Sequence, residues 1–176
     1  MMWQKILVAL DFSDITDTIF DRALTLAKST GATLILLNVL PPDREDRVNP
    51  ALYSIEYPVV PEVYQKILEE NQKQWQALQE KNFLALEAMK EKAAKSGVEA
   101  KTVQIFGDPG NVICKQAKEL TVDLIAIGNR GLSGLKELFL GSVSNYVTHH
   151  ASCSVLIIRN CNRAKKPESE RLVDAQ

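Results

Sequence analysis

KILVALDFSDITDTIFDRALTLAKSTGATLILLNVL, residues 5–40, decides the fold. Lys5 to Asp11 and Thr33 to Leu40 are short, almost unbroken apolar runs, the pattern of parallel strands covered on both faces. Between them, Asp14 to Thr30 sets Ile15, Ile19, Ala23, Leu26 and Ala27 at steps of three and four, and Gly31 follows as a stop signal. Strand, helix and strand in immediate succession form a crossover unit, and such units are right-handed with parallel strands.

Working toward the carboxyl terminus, Glu62 to Ser96 has helix-favouring composition with apolar Ile67, Leu68, Trp75, Leu78, Leu86, Met89 and Ala93 before Gly97. At about 1.5 Å per residue this helix would reach roughly 50 Å. It would overhang a small sheet, so its first part is expected to project. Glu99 to Phe106 mixes polar and apolar positions and suits an edge strand. Pro109 to Leu120 reads as a helix with proline in its first turn. Asp123 to Gly128 is a buried strand, Ser142 to about Ala151 a helix and Ser154 to Arg159 a last strand. Five strands alternating with four helices predict an α/β class, doubly wound five-stranded parallel sheet with helices on both faces. Ligands of such sheets sit at the carboxyl ends of the strands, where the strand order reverses. That rule singles out Asp11, Val39, Gly128 and the loop after it.

Punctuation residues are unevenly placed. Five of the seven prolines lie between Pro41 and Pro61, and six of the eight glycines between Gly107 and Gly141. The first cluster reads as an insertion at about 41–75, the second as functional loops. The chain is thus expected to be one domain over 1–160, with 161–176 a polar, frayed tail.

The loop from Gly128 to Ser142 reads GNRGLSGLKELFLGS. It has neither P-loop nor dinucleotide-fingerprint spacing. Its chemistry still points to an anion. Gly128 closes a strand at the carboxyl edge, Gly131 and Gly134 allow close backbone approach, and Gly141-Ser142 opens a helix. Unpaired first-turn amides, the helix dipole and the Ser142 hydroxyl would together cradle a phosphate. The competing reading is that these glycines only form tight turns.

Gly128-x-x-Gly131-x9-Gly141-Ser142 resembles the ATP-binding signature of universal stress proteins. The resemblance runs from Lys5 to Arg159 and includes the KILVALDFSD opening, the NV near the end of the second strand and the closing SVLIIR. It implies strand order 3-2-1-4-5, the adenine nucleotide hydrolase-like arrangement, together with a dimer and ATP at the carboxyl edge. Carried over by position, Asp11 and the Val39 backbone would meet the adenosine end. Gly128, Gly131, Gly141, Ser142 and the Val143 amide would meet ribose and phosphates. Asn129 and Arg130 occupy positions where the family varies; Arg130 is either a phosphate ligand or a solvated loop cation.

Composition sets the outer limits. Its 21 Lys and Arg against 22 Asp and Glu give a net charge of -1 over 176 residues, which argues against nucleic-acid binding through a basic surface. No apolar run is long enough to cross a membrane and no leader-like succession opens the chain. A cytoplasmic protein is expected. Cys114, Cys153 and Cys161 form no C-x-x-C pair and, with His149 and His150 side by side, are poor material for a metal cage. The two histidines are expected to close a helix at the negative end of its dipole. Phosphoryl-transfer catalysis wants a positioned base, a metal and cations; the loop offers Arg130 and Lys136 without a P-loop lysine. No catalytic residue is therefore assigned. The expected function is an ATP-binding regulatory switch with slow or no hydrolysis, Mg²⁺ accompanying the phosphates, and a homodimer through residues 154–159. The alternatives are an ATP-cleaving enzyme and a nucleotide-independent dimeric scaffold.

Overall fold

A computed structural model describes residues 3–41, 61–129 and 141–159. Expectations for Arg130, Gly131, the proline-rich stretch 42–60 and the tail lie outside the described residues.

The elements run β1 (Lys5–Leu10), α1 (Thr16–Thr30), β2 (Thr33–Leu40), α2 (Pro61–Lys95), β3 (Ala100–Phe106), α3 (Pro109–Glu119), β4 (Leu124–Asn129), α4 (Ser142–His150) and β5 (Ser154–Arg159). All neighbours pair parallel in the order β3-β2-β1-β4-β5. Lys5 stands opposite Thr33, and Ile6 opposite Leu124. The near-continuous apolar character of β1 and β2 follows from this order, because successive side chains enter opposite cores. Ile6, Val8, Leu34 and Leu36 pack with Ile19, Phe20 and Ala23 of α1 and Leu86 and Ala93 of α2. Leu7, Ile35, Leu37 and Ile127 face Ile113 and Ala117 of α3 and Val147 of α4. Each large apolar side chain removed from water in this way contributes about 1.5–3 kcal/mol.

Several boundaries differ from the sequence expectations, and each difference has a local cause. β1 stops at Leu10 and α1 starts at Thr16 rather than Asp14. The Asp11 carboxylate accepts the Ser13 amide at 3.0 Å and the Ser13 hydroxyl at 2.6 Å, folding the intervening residues into a turn. Phe12 takes the left-handed conformation there, at φ 54°, a strained setting for a large side chain and one that recurs at ligand sites. β4 begins after Asp123, whose Oδ2 accepts the Gln4 and Lys5 amides at 2.8 and 2.9 Å. It continues one residue beyond Gly128, with Asn129 opposite Arg159. Asp108 caps α3 by accepting the Asn111 amide at 3.0 Å. β3 and β5 form the two edges of the sheet.

α2 is one continuous helix of 35 residues. From Gln65 to Lys81 none of its residues is buried, and Asn82 is the first that is. Its carboxyl half is fastened to the body. The Thr102 hydroxyl donates to Glu87 at 2.6 Å, and with the Lys90 ammonium it holds the Glu87 carboxyl below the usual carboxylate range. Lys92 meets Asp21 of α1 at 2.7 Å.

Candidate functional site

A cleft of about 800 Å³ lies at the carboxyl ends of β1, β2 and β4. The strand order creates it. α1 follows β1 on one face while α4 follows β4 on the other, so the connections part above these adjacent strands.

Asp11, Val39, Gly128, Gly141, Ser142 and Val143 all line this cleft. The structure thereby brings together the carboxyl ends of β1, β2 and β4 and the start of α4, although its two glycines there differ in their surroundings. At Gly128 a Cβ would come within 2.5 Å of Ile19 Cδ1 and 2.6 Å of Ile15 Cδ1. Packing of Ile15 and Ile19 against β4 therefore already crowds any side chain at this position. Gly141 is the contrast. Among the described residues a Cβ there would meet nothing nearer than Ser144 Oγ at 3.7 Å, and its φ of -54° suits any residue. Nothing in the described fold requires a bare backbone at 141, whereas a ligand approaching the helix start would.

Gly141 is the N-cap of α4, and among the described residues no side chain caps the helix by hydrogen bonding. Its own amide donates to Asn129 Oδ1 at 3.1 Å. The amides of Ser142, Val143 and Ser144 meet no acceptor among the described residues. They are the donors an anion uses at a helix start, reinforced by the dipole. The Ser144 hydroxyl is committed to Gly141 O at 2.9 Å; that of Ser142 is exposed at the cleft.

Sequence reasoning missed the wall opposite. Leu78, Lys81, Asn82 and Ala85 of α2 line the cleft from the other face of the sheet. Among the described lining residues, Lys81 is the cation and Asp11 the carboxylate. Asn82, 8% exposed, donates to Asn38 Oδ1 at 3.4 Å. Asn38, 2% exposed, donates to Leu10 O at 2.8 Å. Gln104 donates to both Asn38 Oδ1 and Gln79 O at 3.2 Å. The available signal was one polar residue four positions from each of the apolar Leu78 and Leu86 of α2.

Other candidates lie away from the cleft. Burial pushes the thiols of Cys114 and Cys153 up, opposite to what a reactive thiolate needs. His149 and His150 occupy the last turn of α4, with the His150 ring stacked on Tyr146 at 4.0 Å. Among the described residues no group of His, Cys, Asp and Glu is arranged to hold a metal, and no helix is long and apolar enough to cross a membrane.

Strand order and a helix-start cleft define the doubly wound α/β proteins that place ligands at a topological switch point. The model of the Universal stress protein family matches residues 2–159, and the chain belongs to that family. It is 42% identical over 160 residues to universal stress protein YxiE of Bacillus subtilis (strain 168), spanning 90% of this chain and all of that one, 100%. Among solved structures, hypothetical protein MJ0577 superposes with a TM-score of 0.67 at 25% identity, covering 92% of this chain and 99% of its own. A universal stress protein solved in complex with cAMP superposes at 0.61 with 22% identity, covering 90% and 98%.

Proposed function

We propose that the chain is a stress-response regulator that binds an adenine nucleotide, ATP with Mg²⁺, across the carboxyl edge of its sheet without efficient turnover. One observation carries this reading: α4 begins at a glycine that the described fold does not require, with its next amides open to the cleft that Asp11 and Val39 also line. The cAMP complex of a protein with this fold is consistent with it. In this reading Gly141, Ser142 and the Val143 amide hold phosphates, joined by Gly131 and Arg130 of the intervening loop. Gly128 lies beneath the ribose. Asp11 and the Val39 backbone take the adenosine end. Mg²⁺ would be held mainly by the phosphate oxygens and water, as is usual where few carboxylates are at hand; it would screen their charge.

The protein would act in the cytoplasm as a homodimer joined through β5. That strand is a sheet edge with Leu156 36% exposed and Val155 and Ile157 half-buried, a surface that another strand edge would cover.

Calorimetry with ATP, ADP and AMP on wild type and Gly141→Asp tests the site. A carboxylate at the helix start should repel phosphates while leaving the fold intact, so ATP binding should disappear. Unchanged affinity would overturn the assignment. Turnover above about 1 per second, within the ordinary enzymatic range, would favour an ATP-cleaving enzyme. Dimers that bind no nucleotide would favour a scaffold.

A further inference from the structure

The hydrogen bonds around Asn38 fix the orientation of every amide in its network. The Leu10 carbonyl can only accept, so Asn38 must turn its Nδ2 toward it. That leaves Asn38 Oδ1 to accept from Gln104 and from Asn82, which therefore presents its own Nδ2. The remaining polar atom of Asn82 is Oδ1. No donor reaches it among the described residues, although the side chain is more than nine-tenths buried in the wall of the cleft. An acceptor fixed in this way in the cleft wall favours a ligand that brings a donor.

Its neighbours indicate which part of the ligand. Leu10 and Asn38, bonded to each other, immediately precede Asp11 and Val39, the residues assigned to the adenosine end. α2 also approaches from the face of the sheet opposite α4, so Asn82 stands away from the phosphate cradle. Resting on the adenine-nucleotide reading above, we propose that Asn82 is a specificity-determining residue that accepts a hydrogen bond from the exocyclic amino group of the base. Asn38 and Gln104 are then positioning residues, which hold Asn82 and fasten α2 to β2 and β3. The amino group is the donor that distinguishes adenine from purines lacking it, and a site built to bond a donor discriminates against the analogue without one.

The test is a cycle of two ligands and two proteins. Calorimetry on the full chain compares ATP with purine riboside triphosphate, which differs only in lacking the amino group, for wild type and Asn82→Leu. Wild type should bind the analogue about three- to ten-fold more weakly. In Asn82→Leu the two ligands should bind alike, with ATP reduced to the level of the analogue. A merely structural role would weaken both ligands by one factor and preserve their ratio, and that result would overturn the proposal. So would equal affinities in wild type, a comparison that needs no variant to fold. Selectivity against 2′-deoxy-ATP that Asn82→Leu abolishes would assign the contact to ribose and equally overturn it. Gly141→Asp separates the two levels. If wild type binds ATP and Gly141→Asp does not, a ratio that Asn82→Leu preserves refutes Asn82 alone. If wild type binds no ATP, the nucleotide reading fails and takes this proposal with it.

Discussion

Asn129 and Gly141, twelve residues apart, are held by one hydrogen bond: the Gly141 amide donates to Asn129 Oδ1 at 3.1 Å. Asn129 is 7% exposed and ends β4, while Gly141 begins the cap of α4. The strand end thereby aims the helix start. Asn129→Ala should cost about 1–2 kcal/mol in thermal or denaturant unfolding and should also lower ATP affinity, because the amide cradle loses its anchor. A drop in stability with undiminished affinity would mean that the bond serves the fold alone.

The glycines at 128 and 141 should respond oppositely to the same substitution. Gly128→Ala drives a methyl into Ile15 and Ile19 and should destabilise the apo protein by about 1–2 kcal/mol, as overpacked cores do. Gly141→Ala should unfold like wild type yet bind nucleotide more weakly. Paired unfolding and calorimetric measurements decide, and equal stability losses would remove the contrast.

Asp123 should shape the acid limb of stability. Its two backbone donors, Lys5 first and then Gln4, hold its carboxyl below the usual value, which for aspartate is about 3.9. A depressed folded value means the carboxylate stabilises the native state above that ordinary value, a contribution lost as pH falls through the folded one. Asp123→Asn should therefore be less stable than wild type at neutral pH, with the gap narrowing below about pH 4. Denaturant melts from pH 7 down to pH 3 measure the gap; a constant difference would show that the carboxylate charge is immaterial.

At the far edge of the sheet, Leu156→Lys should shift the proposed dimer toward monomer, since a lysine on an edge strand opposes further pairing. Sedimentation at micromolar concentrations reads this directly. A monomeric wild type would dispose of the β5 interface.

Much of this architecture was legible in the sequence because β1, β2 and β4 carry their burial openly. Leu34, Ile35, Leu36 and Leu37 are consecutive and each is buried, a run only a doubly covered strand explains. Boundaries were less legible where a side chain overrides local propensity, as Asp11 does in drawing Ser13 into a turn. Gly128 reads in sequence as a ligand glycine, and the α1-side isoleucines Ile15 and Ile19 also crowd the space its side chain would take. A glycine looks alike in sequence whether a helix or a ligand excludes its side chain. The α2 wall was missed because Lys81 and Asn82 read as ordinary polar positions on a solvated helix, and their cleft exists only once β2 and β3 lie beneath them.

The long helix has a mechanical consequence. α2 is hydrogen-bonded to the sheet at Gln79 O, and about 18 residues separate that point from Pro61 at the other end, an arm of about 27 Å at 1.5 Å per residue. With the fulcrum beside the cleft, a tilt of about 10° would sweep the tip through about 5 Å. A displacement too small to disturb the sheet would thus be magnified at the end of the helix farthest from the ligand.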